Sequence, residues 1–218
     1  MSTPSFPGFN PGPLTAPERL VRDHALLASI AWLVLIPLGT LTARWLRTFT
    51  KHWFLPHAVL NFLVAAPVFW AGWAKGYRFT DAGFTGGHWA DTHKKVGLAM
   101  LVLYCVQLVL GVFIHAVKLP LPLRLFGRAP GNYVHIALGI ALLALGTFQV
   151  HYGLYTEWAQ STGNLHPVPD AAKRAWLALI VIFWALYGLG FGLLPRQVKQ
   201  ESAARKMAEK GVVDGGSA

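Results

Sequence analysis

Five stretches of this sequence contain no Asp, Glu, Lys or Arg for about the length a bilayer requires: residues 25–43, 53–74, 96–117, 129–156 and 175–195. In hydrocarbon every backbone polar group must be satisfied inside its own element, so a continuous apolar run of that length has one solution, a helix. Barrel strands would show alternating polarity in much shorter pieces. The reading is therefore an all-α integral membrane protein with five transmembrane helices, spanning about residues 24–45, 53–74, 93–117, 132–153 and 174–194. With 54% hydrophobic and 13% charged residues, the chain carries more apolar surface than a soluble domain can bury.

The flanks supply the domain plan. Residues 1–14, rich in Pro and Gly, read as a flexible tail, with neither the basic start nor the apolar core of a cleaved signal peptide. Thr15 to Glu18 has the form of a capping box, so the first helix is expected to begin before its apolar run. Residues 15–195 make up the membrane domain. Residues 196–218 form a polar tail, expected as a frayed helix at the surface.

Five spans put the termini on opposite sides. The C-terminal side carries eleven Lys and Arg and the other eight, which by the positive-inside rule makes the C-terminus cytosolic and the N-terminus non-cytosolic. The formal charge of +10 sits at helix ends and in the tail, not along one soluble face. Its partners are then lipid headgroups and small anions, with no nucleic acid. A single cysteine, Cys105, excludes an intrachain disulfide, a Cys-rich zinc site and a covalently attached C-x-x-C-H haem, and reads as a small packing residue.

Ionisable groups inside spans are candidates for function. His24, His57, His93 and His135 each fall near the start of their own span. Because consecutive spans run in opposite directions, His24 and His93 share the N-terminal face while His57 and His135 share the other. The residues beyond them repeat: His93 is followed by Gly97, Gln107 and Gly111 at the same offsets as Gly139, Gln149 and Gly153 follow His135. Gly39 and Gly72 each lie fifteen residues beyond His24 and His57. Spans one and two thus resemble each other, as do three and four, a pattern expected of inverted repeats.

At 1.5 Å per residue, a glycine fifteen to eighteen positions on lies about 22–27 Å along the axis, level with the opposite histidine pair. A glycine there lets a broad, flat group approach the backbone. Paired imidazoles from facing helices are a haem ligand set, and a bundle core is a natural place to hold the group. The nearby bases Arg22, Lys94 and Lys95 on one side, and Arg44, Lys51 and Arg128 on the other, are candidates to neutralise haem propionates. A design with two ligands on one helix does not suit this chain, because His135 and His151, sixteen apart, point about 160° away from each other.

Secondary candidates remain. His88 and His151 belong to the N-terminal face near the first pair, where they can contact an electron acceptor. His115, Lys118 and Arg47 belong to the other face, near a donor. An interfacial role, common for amphipathic side chains at headgroup depth, competes in every case.

The stretches "RDHALLASIAWLVLIPLGTLTARWLR", "WFLPHAVLNF", "DTHKKVGLAMLVLYCVQLVLGVFIH" and "YVHIALGIALLALGTFQVHYGLY" resemble the cytochrome b561 family, in particular the membrane module of its fungal members. The resemblance covers about residues 20 to 155. It implies two non-covalent b-type haems, one ligated by His24 and His93 and the other by His57 and His135, in a four-helix bundle made by the first four spans. It also implies transmembrane electron transfer, from a cytosolic donor such as ascorbate to monodehydroascorbate or a ferric chelate outside. The chain would then be an ascorbate-dependent, ferrireductase-like oxidoreductase in which no acid/base or covalent catalytic residue is needed. The sequence departs from the family in having five spans instead of six and no attached soluble haem domain. The expected partners are membrane lipid, the two small redox substrates, and a redox partner protein or a second copy of the chain as a homodimer. Two other readings stay open: a non-enzymatic haem carrier or membrane anchor serving an extracellular oxidoreductase, and a haem-free transporter.

Overall fold

The computed structural model describes residues 11–83, 86–117 and 129–215. Among them are five helices long and apolar enough to cross a membrane: α1 (Ala16–Leu46), α2 (Phe54–Asp81), α3 (Thr92–Ala116), α4 (Pro130–Ser161) and α5 (Asp170–Ala204). The described residues contain no strand.

Each helix outruns the apolar stretch that announced it, because charge-free composition marks the hydrocarbon layer while capping marks the helix end. At α1 the expected capping box is present: the Glu18 carboxylate accepts from the Thr15 backbone N–H at 2.7 Å, and the Thr15 hydroxyl accepts from the Glu18 N–H at 3.4 Å. At α3 the Asp91 carboxylate accepts from the Lys94 N–H at 2.9 Å. Burial pushes the Asp91 carboxyl up, but the Lys94 N–H and ammonium outweigh it and hold the group below its usual range. Gly83, Gly86 and Gly87 take positive φ between α2 and α3, as do Gly163 and Asn164 between α4 and α5.

The apolar runs also hide three wide turns. The helix loosens to i→i+5 bonding over Ala31–Leu35 in α1, Leu60–Ala65 in α2 and Gly153–Glu157 in α4. In the first two a proline, Pro37 or Pro67, lies in the next turn, where the ring removes a donor and displaces the carbonyl behind it.

α1 packs along α2 and α3 along α4, and α1 also meets α4. Trp32, Phe69, Met100, Tyr104, Leu142 and Leu143 from these four helices fill the centre. α5 lies outside the four, adding Phe183 and Tyr187 to the core. Away from that core the helices present bare apolar side chains, Leu63 and Val109 among the most exposed, as a lipid-facing surface must. Cys105 belongs to this outer surface, not to the packed interior expected for it.

After a 3₁₀ turn at Gly190–Leu193 the chain resumes as a helix over Leu194–Gly215, and its first turns are held against the end of α1. The Gln197 side chain is buried and donates to the Arg44 carbonyl at 3.1 Å and the Thr48 hydroxyl at 2.7 Å. Arg47 pairs with Glu201 at 2.9 Å.

Candidate haem-binding site

The four histidines meet in two pairs. The rings of His24 and His93 lie 6.0 Å apart between centroids at 85°, and those of His57 and His135 lie 6.4 Å apart at 79°. A metal sits about 2.0–2.1 Å from an imidazole nitrogen. Twice that distance plus the two half-rings accounts for separations of this size. Each pair offers two imidazole nitrogens, a donor set that would suit a b-type haem. No cluster of three or more His, Cys, Asp or Glu able to enclose a bare ion occurs among the described residues.

The sister helix fixes the tautomer of one histidine in each pair. His24 Nδ1 lies 2.9 Å from the Gly72 carbonyl, and His57 Nδ1 lies 2.6 Å from the Gly39 carbonyl. A carbonyl oxygen only accepts, so Nδ1 must carry the proton, and Nε2 is left with its lone pair for a metal. The other member of each pair, His93 or His135, has a buried Nδ1 with no hydrogen-bond partner among the described residues. Each pair therefore joins one braced imidazole to one unbraced.

The repeated glycines and glutamines now have contacts. Gln107 Nε2 donates to the His135 carbonyl and Gln149 Nε2 to the His93 carbonyl, both at 2.8 Å. These are reciprocal bonds between α3 and α4, and the buried Oε1 of each glutamine has no partner among the described residues. Gly139 makes room for one of them, since a Cβ there would lie 2.8 Å from Gln107 Nε2, whereas one on Gly97 would lie 3.9 Å from Gln149 Nε2, an ordinary contact. Gly111 and Gly153 face the unbraced rings, at 2.9 Å from His135 Cε1 and 3.7 Å from His93 Cε1 for an added Cβ. The space beside Gly39 and Gly72 is taken by protein. A Cβ on Gly39 would collide with the Asn61 carboxamide, and one on Gly72 would lie 2.9 Å from Leu27 Cβ. These two glycines bring α1 and α2 close enough for their carbonyls to reach the histidines.

The candidate propionate partners divide unevenly. On the N-terminal face Arg22 pairs with Asp23 at 2.9 Å, and Lys75 reaches the same carboxylate at 3.4 Å. Lys94 Nζ lies 3.0 Å from Asp91 and donates to the Gly87 carbonyl, while Lys95 is exposed. On the other face a cavity of about 330 Å³ opens beside the second pair, lined by His57, His135, Asn61, Gly111, Arg44 and His115 among others. The Arg44 guanidinium lies 4.0 Å from the Phe191 ring centroid and 5.4 Å from that of Tyr187. A Cβ on Gly190 would lie 2.7 Å from Arg44 Cγ, so α5 supplies both the rings and the room. Lys51 is exposed, and Arg128 and Lys118 lie outside the described residues.

The secondary candidates are distributed as follows. His115 stacks on Phe54 at 3.5 Å and 6°, at the edge of the cavity, where Arg47 lies over Trp53. His88 stacks on Tyr77 and lies 2.9 Å from Asp81. His151 packs between Tyr155 and Trp176. His166, in the loop between α4 and α5, has Nε2 3.8 Å from Glu18 and its carbonyl bonded by the Trp158 indole, so it ties that loop to the start of α1.

Asn61 is the residue that sequence reasoning missed. It donates to the His57 carbonyl at 2.8 Å, approaches His57 Nδ1 at 3.5 Å and receives the Tyr104 hydroxyl on its own carbonyl at 3.0 Å. Its signal was a carboxamide inside an apolar run four positions beyond a histidine, on the same helix face.

Residues 23–160 match the sequence model of the family described as eukaryotic cytochrome b561. Three proteins of Arabidopsis thaliana are similar to the chain. One, named a cytochrome b561 and DOMON domain-containing protein, is 30% identical over 162 residues, 73% of this chain and 36% of its own length. A second of the same description is 29% identical over 137 residues, 62% of this chain and 31% of its own length. The third, named a cytochrome b561, DM13 and DOMON domain-containing protein, is 29% identical over 161 residues, 73% of this chain and 17% of its own length. The chain thus spans about a third or less of the length of these relatives. No solved structure matches it.

Proposed function

Since the chain belongs to the cytochrome b561 family, whose members bind b-type haem in a membrane, we propose that it passes single electrons across the bilayer between two such haems. His24 and His93 would hold one and His57 and His135 the other. The observation that carries the reading is the meeting of four histidines from four helices in two crossed pairs near 6 Å, one pair toward each end of the bundle. The haem iron supplies the one-electron chemistry. The chain's own residues ligate, orient and insulate. Gly72 and Gly39 hold the Nδ1 proton on His24 and His57, Gln149 and Gln107 set the height of His93 and His135, and the packed centre excludes water.

Electrons are proposed to enter on the C-terminal, cytosolic face, from an anionic reductant such as ascorbate. Arg47 and His115 lie at the edge of the cavity there, a cationic and aromatic surround suited to an enediol anion. The electrons leave on the N-terminal face, beside His88 and His151, to monodehydroascorbate or a ferric chelate. A second reading, transfer to a soluble redox partner on that face, is favoured by the DOMON domain named in the relatives. The two differ in one measurement. Vesicles loaded with ascorbate and bearing only this polypeptide reduce external ferric chelate under the first reading and fail to under the second.

The ligand assignment is tested by single substitutions to Leu. His24→Leu and His93→Leu should each remove the same spectral component and about one haem per chain, and His57→Leu and His135→Leu the other. Loss of different components within a proposed pair overturns the assignment. A purified chain that takes up no haem at all overturns the function.

A further inference from the structure

We propose that Phe69, Trp32 and Tyr104 form the route by which an electron tunnels between the two histidine pairs, an inference that rests on the two-haem reading above. The helices themselves measure the gap. Gly39 touches His57 and lies fifteen residues beyond His24 on the same helix, so the two pairs are about 22 Å apart along α1. Most of that gap is protein.

The three rings meet within it as one mutually touching cluster, reached from backbone positions at different depths. Phe69 lies one turn before Gly72, which touches His24, and so is about 4–5 Å inside the level of the first pair. Trp32 lies eight residues beyond His24, about 12 Å in, and Tyr104 eleven beyond His93, about 16 Å in. They touch one another: Trp32 and Phe69 at 5.2 Å and 81°, Trp32 and Tyr104 at 5.7 Å and 61°, Phe69 and Tyr104 at 5.6 Å and 86°. These are the edge-to-face contacts that aromatic pairs prefer. Their exposures of 3% for Trp32, 5% for Phe69 and 2% for Tyr104 leave no solvent gap within the chain of rings.

Both ends are connected by bonds. At one end the Gly72 carbonyl, in the same helical turn as Phe69, accepts a hydrogen bond from His24 Nδ1–H. At the other, the Tyr104 hydroxyl bonds to the Asn61 carbonyl, and Asn61 bonds to the backbone of His57 and approaches its ring. A continuous path therefore runs from His24 through Gly72 and Phe69 to Tyr104, both directly and by way of Trp32, which touches both rings, and on through Asn61 to His57. Gly146 keeps the middle step in place, because a Cβ there would lie 2.5 Å from Trp32 Cε3. Trp32 and Tyr104 also line the cavity beside the second pair, which brings the route to the wall of that site.

The transfer moves one electron from the reduced centre to the oxidised one. No bond forms or breaks, and the rings are neither oxidised nor reduced, since they contribute delocalised orbitals through which the electron passes without residing. Core packing alone would make the same residues matter for stability but not for rate at fixed driving force. That difference supplies the test.

The full chain, loaded with haem and purified in detergent, is compared with Trp32→Leu, Trp32→Phe and Phe69→Leu. Three quantities are read: haems per chain, the two midpoint potentials by redox titration, and the rate at which an electron placed on one centre by a flash-activated reductant equilibrates with the other. Trp32→Leu and Phe69→Leu should slow equilibration several-fold with both haems present and both potentials unchanged, and Trp32→Phe, which keeps a ring, should restore most of the rate. If Trp32→Leu loses haem, Phe69→Leu, the closer match in volume, decides. Unchanged equilibration in Phe69→Leu, or slowing that the shift in potentials fully accounts for, overturns the route. A wild-type chain with a single haem would instead refute the two-haem reading before any variant is made.

Discussion

Gly111 and Gly153 occupy corresponding positions of the repeated α3–α4 pattern but leave different clearances, and that difference predicts an asymmetric response to the same substitution. An alanine methyl at Gly153 would lie 3.7 Å from His93 Cε1, an ordinary van der Waals contact. At Gly111 it would lie 2.9 Å from His135 Cε1, so the imidazole or the helix must yield by about half an ångström to restore a contact of 3.4 Å. Overpacking of this kind costs about 1–3 kcal/mol, offset by about 0.8–1.0 kcal/mol of helix propensity gained when glycine becomes alanine. The net change in fold stability is then between about zero and 2 kcal/mol, small enough for the chain to assemble. The ring that must move is a proposed ligand, however, and the displacement is large against the tolerance of a coordination bond. Gly111→Ala should lose or weaken the haem at the His57 and His135 site while keeping the other. Gly153→Ala should keep both and gain slightly in thermal stability. Haem stoichiometry, reduced-minus-oxidised difference spectra and redox titration of the two variants measure this. Full retention of both components in Gly111→Ala, with loss in Gly153→Ala, would refute the reasoning.

Three further outcomes are expected. Gln197→Leu leaves the Arg44 carbonyl and Thr48 hydroxyl without two bonds worth about 0.5–1.5 kcal/mol each, so the C-terminal helix should become susceptible to limited proteolysis before the membrane core does. Asp91→Ala removes the N-cap of α3 at a cost of about 0.5–2 kcal/mol, together with the ion pair to Lys94, and should lower the melting temperature with both haem components retained. Asn61→Leu removes the bond to the His57 backbone and should shift the midpoint potential of one component, leaving the other where it was.

The parts of this molecule legible in its sequence are those that hydrocarbon enforces. Five charge-free runs became five long helices, and the capping box at Thr15 marked a true helix start, because in both cases the signal is local. The offsets from His93 and His135 to their glycines and glutamines were legible as a repeat, but not as contacts. That Gln107 reaches the His135 carbonyl depends on how α3 and α4 face each other, which no single helix encodes. The same holds for Gly39 and Gly72, whose bare backbone reads as space for a flat group until Asn61 and Leu27 are seen in that space. The polar tail is the surface helix its composition implies, but the bonds from Gln197 to the Arg44 carbonyl and the Thr48 hydroxyl depend on tertiary contact and left no local signal. Pro37 and Pro67 carried a signal within their runs, each falling just beyond a wide turn.

The crossed glutamine bonds between α3 and α4 act as a spacer gauge. Gln107 and Gln149 grip opposite ends of the same helix pair, so slippage of one helix along the other would stretch both at once. The interval separating the two proposed haem sites is thereby written into the protein and not borrowed from the surrounding lipid. In a thicker or thinner membrane the bundle would lean as a unit, and the electron would meet an unaltered distance.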